Sequence, residues 1–147
     1  MPKVLIAEDD VMIADMMEDV LVDGGYEVCG IARTVSEAVR IGLQLKPDMA
    51  VIDLRLAENG CGTEIAAQLG SIGRLGVLYA SGNAGQIILT AADGDAVLIK
   101  PYRAEDLLRS LQLVTEIVAT GSATPPFPRG FQVLATASSA AVDQSNE

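Results

Sequence analysis

The stretch Ala50-Val51-Ile52-Asp53-Leu54-Arg55 constrains the fold more than any other part of the chain. Small and apolar positions run unbroken into a single carboxylate, and a loop rich in Gly and Asn follows. Such a run has no polar face to offer water, so it reads as a strand buried on both faces, as in a parallel sheet. Asp53 then stands at the C-terminal end of that strand, where open α/β sheets bind their ligands. A carboxylate withdrawn from water there costs free energy unless a cation meets it.

The rest of the chain supplies the sheet. Lys3 to Ala7 is a strand ending in Glu8-Asp9-Asp10, after which Ile13, Met16, Met17, Val20 and Leu21 recur at helical spacing until Gly24-Gly25. Tyr26 to Ile31 is a second strand. Thr34-Val35-Ser36-Glu37 has capping-box spacing, and the helix behind it breaks at Lys46-Pro47. Met49 to Asp53 is the third strand, followed by a loop through Glu58 to Gly62 and a helix over Glu64 to Leu69. Leu75 to Ala80 is the fourth strand, ending in Ser81-Gly82-Asn83, and a short helix is expected near Gln86 to Ala92. Ala96 to Ile99 is the fifth strand, ending in Lys100-Pro101, and Leu107, Leu111, Val114 and Val118 mark the last helix. Five strands alternating with five helices predict an α/β fold with a doubly wound parallel sheet.

Beyond Ala119 the composition shifts to Gly, Ser, Thr, Ala and Pro. Residues 1–119 are therefore expected to form one domain, and 120–147 a tail that is partly docked or disordered. Within the tail, Pro125, Pro126 and Pro128 favour extended backbone. Gly130 to Leu134 is apolar enough to dock or add a short strand, and Ala135 to Glu147 has the composition of disorder.

Composition excludes several functions. The 147 residues contain no His, which removes His-based triads, His metal sites and His phosphorylation. Ten Lys and Arg against 20 Asp and Glu leave a net charge of -10, which argues against direct nucleic-acid binding. No apolar run is long enough to span a bilayer, and no secretory signal opens the chain. Cys29 and Cys61 lack metal-ligand spacing, so they read as packing residues in a reduced cytoplasm.

The chemistry collects at one edge. Strand ends bring Glu8, Asp9 and Asp10, then Asp53, Ser81 and Lys100 together on either side of the switch point. Crowded carboxylates repel unless a cation joins them, and an all-oxygen set with open positions suits Mg²⁺. Phosphoryl transfer needs an in-line nucleophile and neutralisation of three equatorial oxygens. Asp53 can attack to give an acyl phosphate, while Mg²⁺, the Lys100 ammonium and the Ser81 hydroxyl each serve one oxygen. Asp10 is the best candidate for capping the first helix.

This set, in this order and on these strand ends, resembles the receiver domain of two-component response regulators over about Lys3 to Ala119. The resemblance implies a flavodoxin-like fold with strand order 2-1-3-4-5. It identifies Asp53 as the phosphoacceptor and catalytic residue with Ser81 and Lys100. It makes Asp9 the direct Mg²⁺ ligand beside Asp53, puts Glu8 on the metal through water, and has Arg55 contribute its backbone carbonyl. Lys100-Pro101 would be a cis bond. Two positions depart from the family pattern. Val97 stands where an aromatic switch residue is usual, and Tyr79-Ala80-Ser81-Gly82 is followed by Asn83 where a Phe-Ala-Thr-Gly-Tyr subfamily has Tyr. Tyr102, following Lys100-Pro101, is placed either to carry part of the aromatic role or to serve packing.

The expected function is a cytoplasmic stand-alone receiver, phosphorylated by a sensor histidine kinase or a histidine phosphotransfer protein and signalling by protein contact. It would be no enzyme beyond Mg²⁺-dependent phosphorylation and dephosphorylation at Asp53, with no small-molecule substrate other than a phosphodonor. It would engage neither nucleic acid nor membrane, and a docked tail could join two copies. A phosphotransfer intermediate, a phosphate sink and a constitutive interaction module are the alternatives. A haloacid dehalogenase-type phosphatase would need a second Asp two residues after Asp53, where Arg55 stands instead.

Overall fold

The structure, a computed structural model, describes residues 1–82 and 89–134. Its main sheet is built from β1 (Lys3–Ala7), β2 (Glu27–Ala32), β3 (Met49–Asp53), β6 (Gly76–Ser81), β7 (Ala96–Ile99) and β8 (Phe131–Val133). A separate ribbon pairs β4 (Arg55–Leu56) with β5 (Gly60–Cys61). The α-helices are α1 (Val11–Asp23), α2 (Val35–Leu45), α3 (Thr63–Gln68) and α4 (Ala104–Thr120).

The sheet runs in the order β2-β1-β3-β6-β7-β8. With the ribbon set aside, its parallel strands follow the expected 2-1-3-4-5 order. The sixth strand is a correction to the five-stranded parallel sheet: β8 pairs antiparallel with β7. It forms from the apolar stretch after Gly130, whose φ of +84° suits a residue without Cβ.

Alternation along the strands explains why both faces are covered. Val4, Ile6, Val51, Leu78 and Leu98 join Met17, Leu21, Leu107, Leu111 and Val114 in one core cluster, on the α1 and α4 side. Leu5, Ala7, Ala50, Ile52, Tyr79 and Val97 join Ala38, Ile65 and Leu69 in a second, on the α2 and α3 side. Successive residues of β1 and β3 thus enter opposite cores, as period-2 geometry requires.

The helix ends follow their local chemistry. Asp10 caps α1, its Oδ1 accepting the Met12 and Ile13 N–H groups at 3.0 and 3.2 Å. Thr34 caps α2 by accepting the Glu37 N–H at 3.1 Å. The Glu37 carboxylate reaches past the cap residue to the Arg33 N–H at 2.8 Å, so the expected box closes one residue early.

Among the described residues there are four α-helices rather than the five expected. Of the helix expected near Gln86 to Ala92, residues 86–88 lie outside the described residues, and Leu89 to Ala92 are not helical. Asp93 accounts for the latter: its side chain accepts the Thr90 N–H at 2.9 Å while its own N–H donates to the Thr90 carbonyl at 2.8 Å. That turn competes with a helix for the same backbone groups. Ala135 to Glu147 also lie outside the described residues. No helix among the described residues is long and apolar enough to cross a membrane.

Candidate functional site

Strand register sets the site. Ala7 pairs with Ile52, Asp53 with Ala80, and Ser81 with Ile99, so β1, β3, β6 and β7 end nearly level. The residues just past or at those ends are Glu8, Asp53, Ser81 and Lys100. The edge predicted from sequence is therefore assembled by pairing alone.

Glu8 is the buried member, with 1% of its surface exposed. Its Oε2 accepts the Asp10 N–H at 3.2 Å, and its Oε1 accepts from Lys100 Nζ at 3.2 Å. The same ammonium reaches Asp53 Oδ2 at 3.3 Å, while Asp53 Oδ1 accepts the Arg55 N–H at 3.1 Å. One ammonium thus bridges the carboxylates of two strands.

Burial is the largest influence on the Glu8 carboxyl and pushes it up from 4.5 to about 7; the Asp10 N–H and Lys100 oppose the rise, and Asp53 adds to it. For Lys100, burial favours the neutral amine, but the carboxylates of Asp53 and Glu8 prevail and hold it above its ordinary value. Burial, then the same two carboxylates, pushes the Tyr102 phenol up to about 12.

Glu8, Asp9 and Asp53 each offer an oxygen within 4.8 Å of the others. Asp10 stands apart from that group because its carboxylate caps α1. Three carboxylates with one lysine among them carry surplus negative charge in a half-buried setting. Their oxygens are the hard donors a small divalent cation prefers, so the residues present fit Mg²⁺.

Ser81 is buried at the same edge, and its backbone carbonyl accepts the Lys100 N–H at 2.9 Å. The Lys100-Pro101 peptide bond is cis. Arg55 contributes its N–H to Asp53, and its residue is exposed.

Val97 pairs directly with Tyr79 across β6 and β7, and both lie in the α2 and α3 side core. The Tyr79 ring is fully buried and its hydroxyl donates to the Asp93 carbonyl at 2.6 Å. A tyrosine ring tied down at its tip thus packs directly beside Val97.

Sequence reasoning missed Gly62. A Cβ there would lie 2.3 Å from the Asp53 carbonyl oxygen and 2.6 Å from Ile52 Cγ2, while the Gly62 N–H donates to the Leu54 carbonyl at 2.9 Å. The loop after Asp53 can close against the strand only without a side chain. Its Gly-rich composition was the available signal. Gly62→Ala is expected to cost roughly 1–3 kcal/mol of stability by overpacking, read by denaturant titration; an unchanged midpoint would show that the loop can move away at no cost.

Comparison with known proteins agrees with this arrangement. The family model described as response regulator receiver domain matches residues 4–112. The transcriptional regulatory protein PdtaR of Mycobacterium tuberculosis is 31% identical over 115 residues, covering 76% of this chain and 55% of PdtaR. The chain thus spans about half the length of that relative. The chemotaxis protein CheY of Thermotoga maritima is 27% identical over 118 residues, covering 78% of this chain and 98% of CheY. Among solved structures, the signal receiver domain of a modulated diguanylate cyclase from Desulfovibrio desulfuricans G20 superposes with a TM-score of 0.70 at 28% identity, covering 83% of this chain and 99% of that one.

Proposed function

The chain belongs to the response regulator receiver domain family, and from that membership we propose that it accepts a phosphoryl group on Asp53 and signals by protein–protein contact. The donor is a sensor histidine kinase or a histidine phosphotransfer protein in the cytoplasm. The observation that carries this reading is the Lys100 ammonium spanning Glu8 and Asp53, with Asp9 completing a three-carboxylate group.

In this reading one Asp53 carboxylate oxygen attacks the phosphorus of a phosphohistidine. An oxygen–phosphorus bond forms, the phosphorus–nitrogen bond breaks, and the electron pair leaves with the imidazole. Glu8, Asp9, Asp53 and the Arg55 carbonyl would hold Mg²⁺, which supplies neutralisation of the phosphoryl oxygens when bound. Lys100 exchanges its hold on the carboxylates for a phosphoryl oxygen, and Ser81 donates its hydroxyl to another. The chain's own chemistry is confined to Asp53, first phosphorylated and then hydrolysed. Ser81 and Lys100 lie on adjacent strand ends joined by a backbone hydrogen bond. Drawing them together biases the face built on β6, β7 and α4 toward a second arrangement.

The test is intact mass after incubation with a small acyl-phosphate donor, with and without Mg²⁺. One added phosphate that requires Mg²⁺ is expected, with candidate histidine kinases as donors if the small donor is ignored. Thermal unfolding supplies an independent reading: millimolar Mg²⁺ should raise the midpoint by several degrees in the wild type. Asp9→Ala should remove both that rise and most of the phosphate uptake. A full Mg²⁺-dependent rise in Asp9→Ala would place the cation elsewhere.

A further inference from the structure

The outer edge of β7 is covered by this chain's own tail. Ala96 lies opposite Val133, Val97 opposite Gln132 and Leu98 opposite Phe131. The Ile99 N–H donates to the Gly130 carbonyl at 3.0 Å, and the Leu134 N–H to the Asp95 carbonyl at 2.9 Å. Phe131 is the one buried side chain of β8, while Gln132 and Val133 are exposed. Phe131 belongs to the core cluster that holds Leu98, Leu107 and Leu111, and its ring meets the half-exposed Phe127 ring at 5.4 Å. The approach to β8 is held against α4 by Arg109, which donates to the Thr124 carbonyl at 3.0 Å and the Pro126 carbonyl at 3.3 Å. Those contacts are exposed to solvent.

This is the chemistry by which an extended peptide adds to a sheet edge. Main-chain hydrogen bonds hold it, and one side-chain slot selects it. A three-residue strand with one buried ring, flanked by the partly buried Leu134 and Ala123, stands at the low end of local stability, so it can open while the rest of the sheet stays folded. Opening leaves backbone groups of β7 unpaired beside an empty aromatic slot, and such an edge calls for another strand.

We propose that the edge of β7, with the Phe131 slot beside α4, is a docking site for an extended, aromatic-bearing segment of a partner protein, and that residues 123–134 are its built-in competitor. A tethered competitor acts at an effective concentration of about millimolar. A foreign strand therefore binds only if it outmatches the tail, which sets an affinity threshold for partners.

The test uses the full-length chain carrying Phe131→Ala and, separately, Arg109→Ala. The probes are amide hydrogen exchange and a labelled synthetic peptide of residues 123–134. In Phe131→Ala, exchange at Ile99 should accelerate by at least about tenfold, while Ile6 and Val51 in the sheet centre keep their protection. The peptide should bind that variant saturably below millimolar concentration, and the wild type at least about tenfold more weakly. A peptide with Phe131→Ala should bind neither. Arg109→Ala should move both readouts in the same direction by less, and it decides the matter alone if Phe131→Ala fails to fold. Persistent protection of Ile99 in both variants would show that the cover does not release. An open edge that ignores the peptide, or a Phe131→Ala chain that dimerises in sedimentation, would overturn the partner assignment.

Discussion

Asp53→Asn is expected to abolish phosphoryl uptake altogether while leaving the fold intact. The amide keeps the shape of the carboxylate and one oxygen to accept the Arg55 N–H, which lies 3.1 Å away in the wild type. It lacks the anionic oxygen that attacks phosphorus. Removing one negative charge beside Glu8 and Asp9 relieves repulsion, so the variant should melt no lower than the wild type in chelator. Intact mass after donor treatment should therefore show one Mg²⁺-dependent phosphate on the wild type and none on the variant. Labelling of Asp53→Asn at the wild-type level would sink the assignment of the acceptor.

Lys100→Ala should produce the second large effect, and its sign depends on the cation. Lys100 is the ammonium that meets both Glu8 and Asp53. Without divalent metal its removal leaves one deeply buried and one half-buried carboxylate uncompensated, at a cost of about 2 kcal/mol. The loss should be greatest near pH 8. The Glu8 carboxyl sits at about 7 against an ordinary 4.5, so the native state holds a proton that the unfolded chain has already released between those values. That contribution to stability is complete below 4.5 and is lost as pH rises through 7. At pH 8 only a cation can offset the charge.

With Lys100 gone the carboxylates no longer have to give up an ammonium to accept metal. Mg²⁺ should then raise the unfolding midpoint of Lys100→Ala by more than it raises that of the wild type. Equal increments in the two proteins would mean that Lys100 does not compete with the metal. The variant should still take up some phosphate on Asp53 but lose the accompanying change at β6, β7 and α4, followed by amide exchange. An unaltered phospho-dependent exchange pattern would remove Lys100 from the transmission of the signal.

Much of this was legible in the chain because the physics is local or periodic. The run into Asp53 announces a strand with both faces covered, and Val51 and Ile52 indeed enter opposite cores. The capping role of Asp10 was readable too, since a helix starting at Val11 needs a cap and Asp10 stands at the cap position. What escaped reading depends on distant contacts. The role of Gly62 exists only because its loop folds back onto the Asp53 carbonyl. The ribbon of β4 and β5 is too short to show a period. The turn at Asp93 displaced an expected helix through one side-chain acceptor, a competition that residue patterns do not resolve.

The strand added by the tail also decides what the sheet presents at that edge. Among the described residues the main sheet ends in β2 on one side and in β8 on the other, so β8 has replaced β7 as the edge strand there. An edge invites a further strand through the unpaired backbone it shows, and a short edge strand blunts that invitation. The three-residue β8 thus leaves a shorter edge than the four-residue β7 it covers, which disfavours edge-to-edge growth on that side.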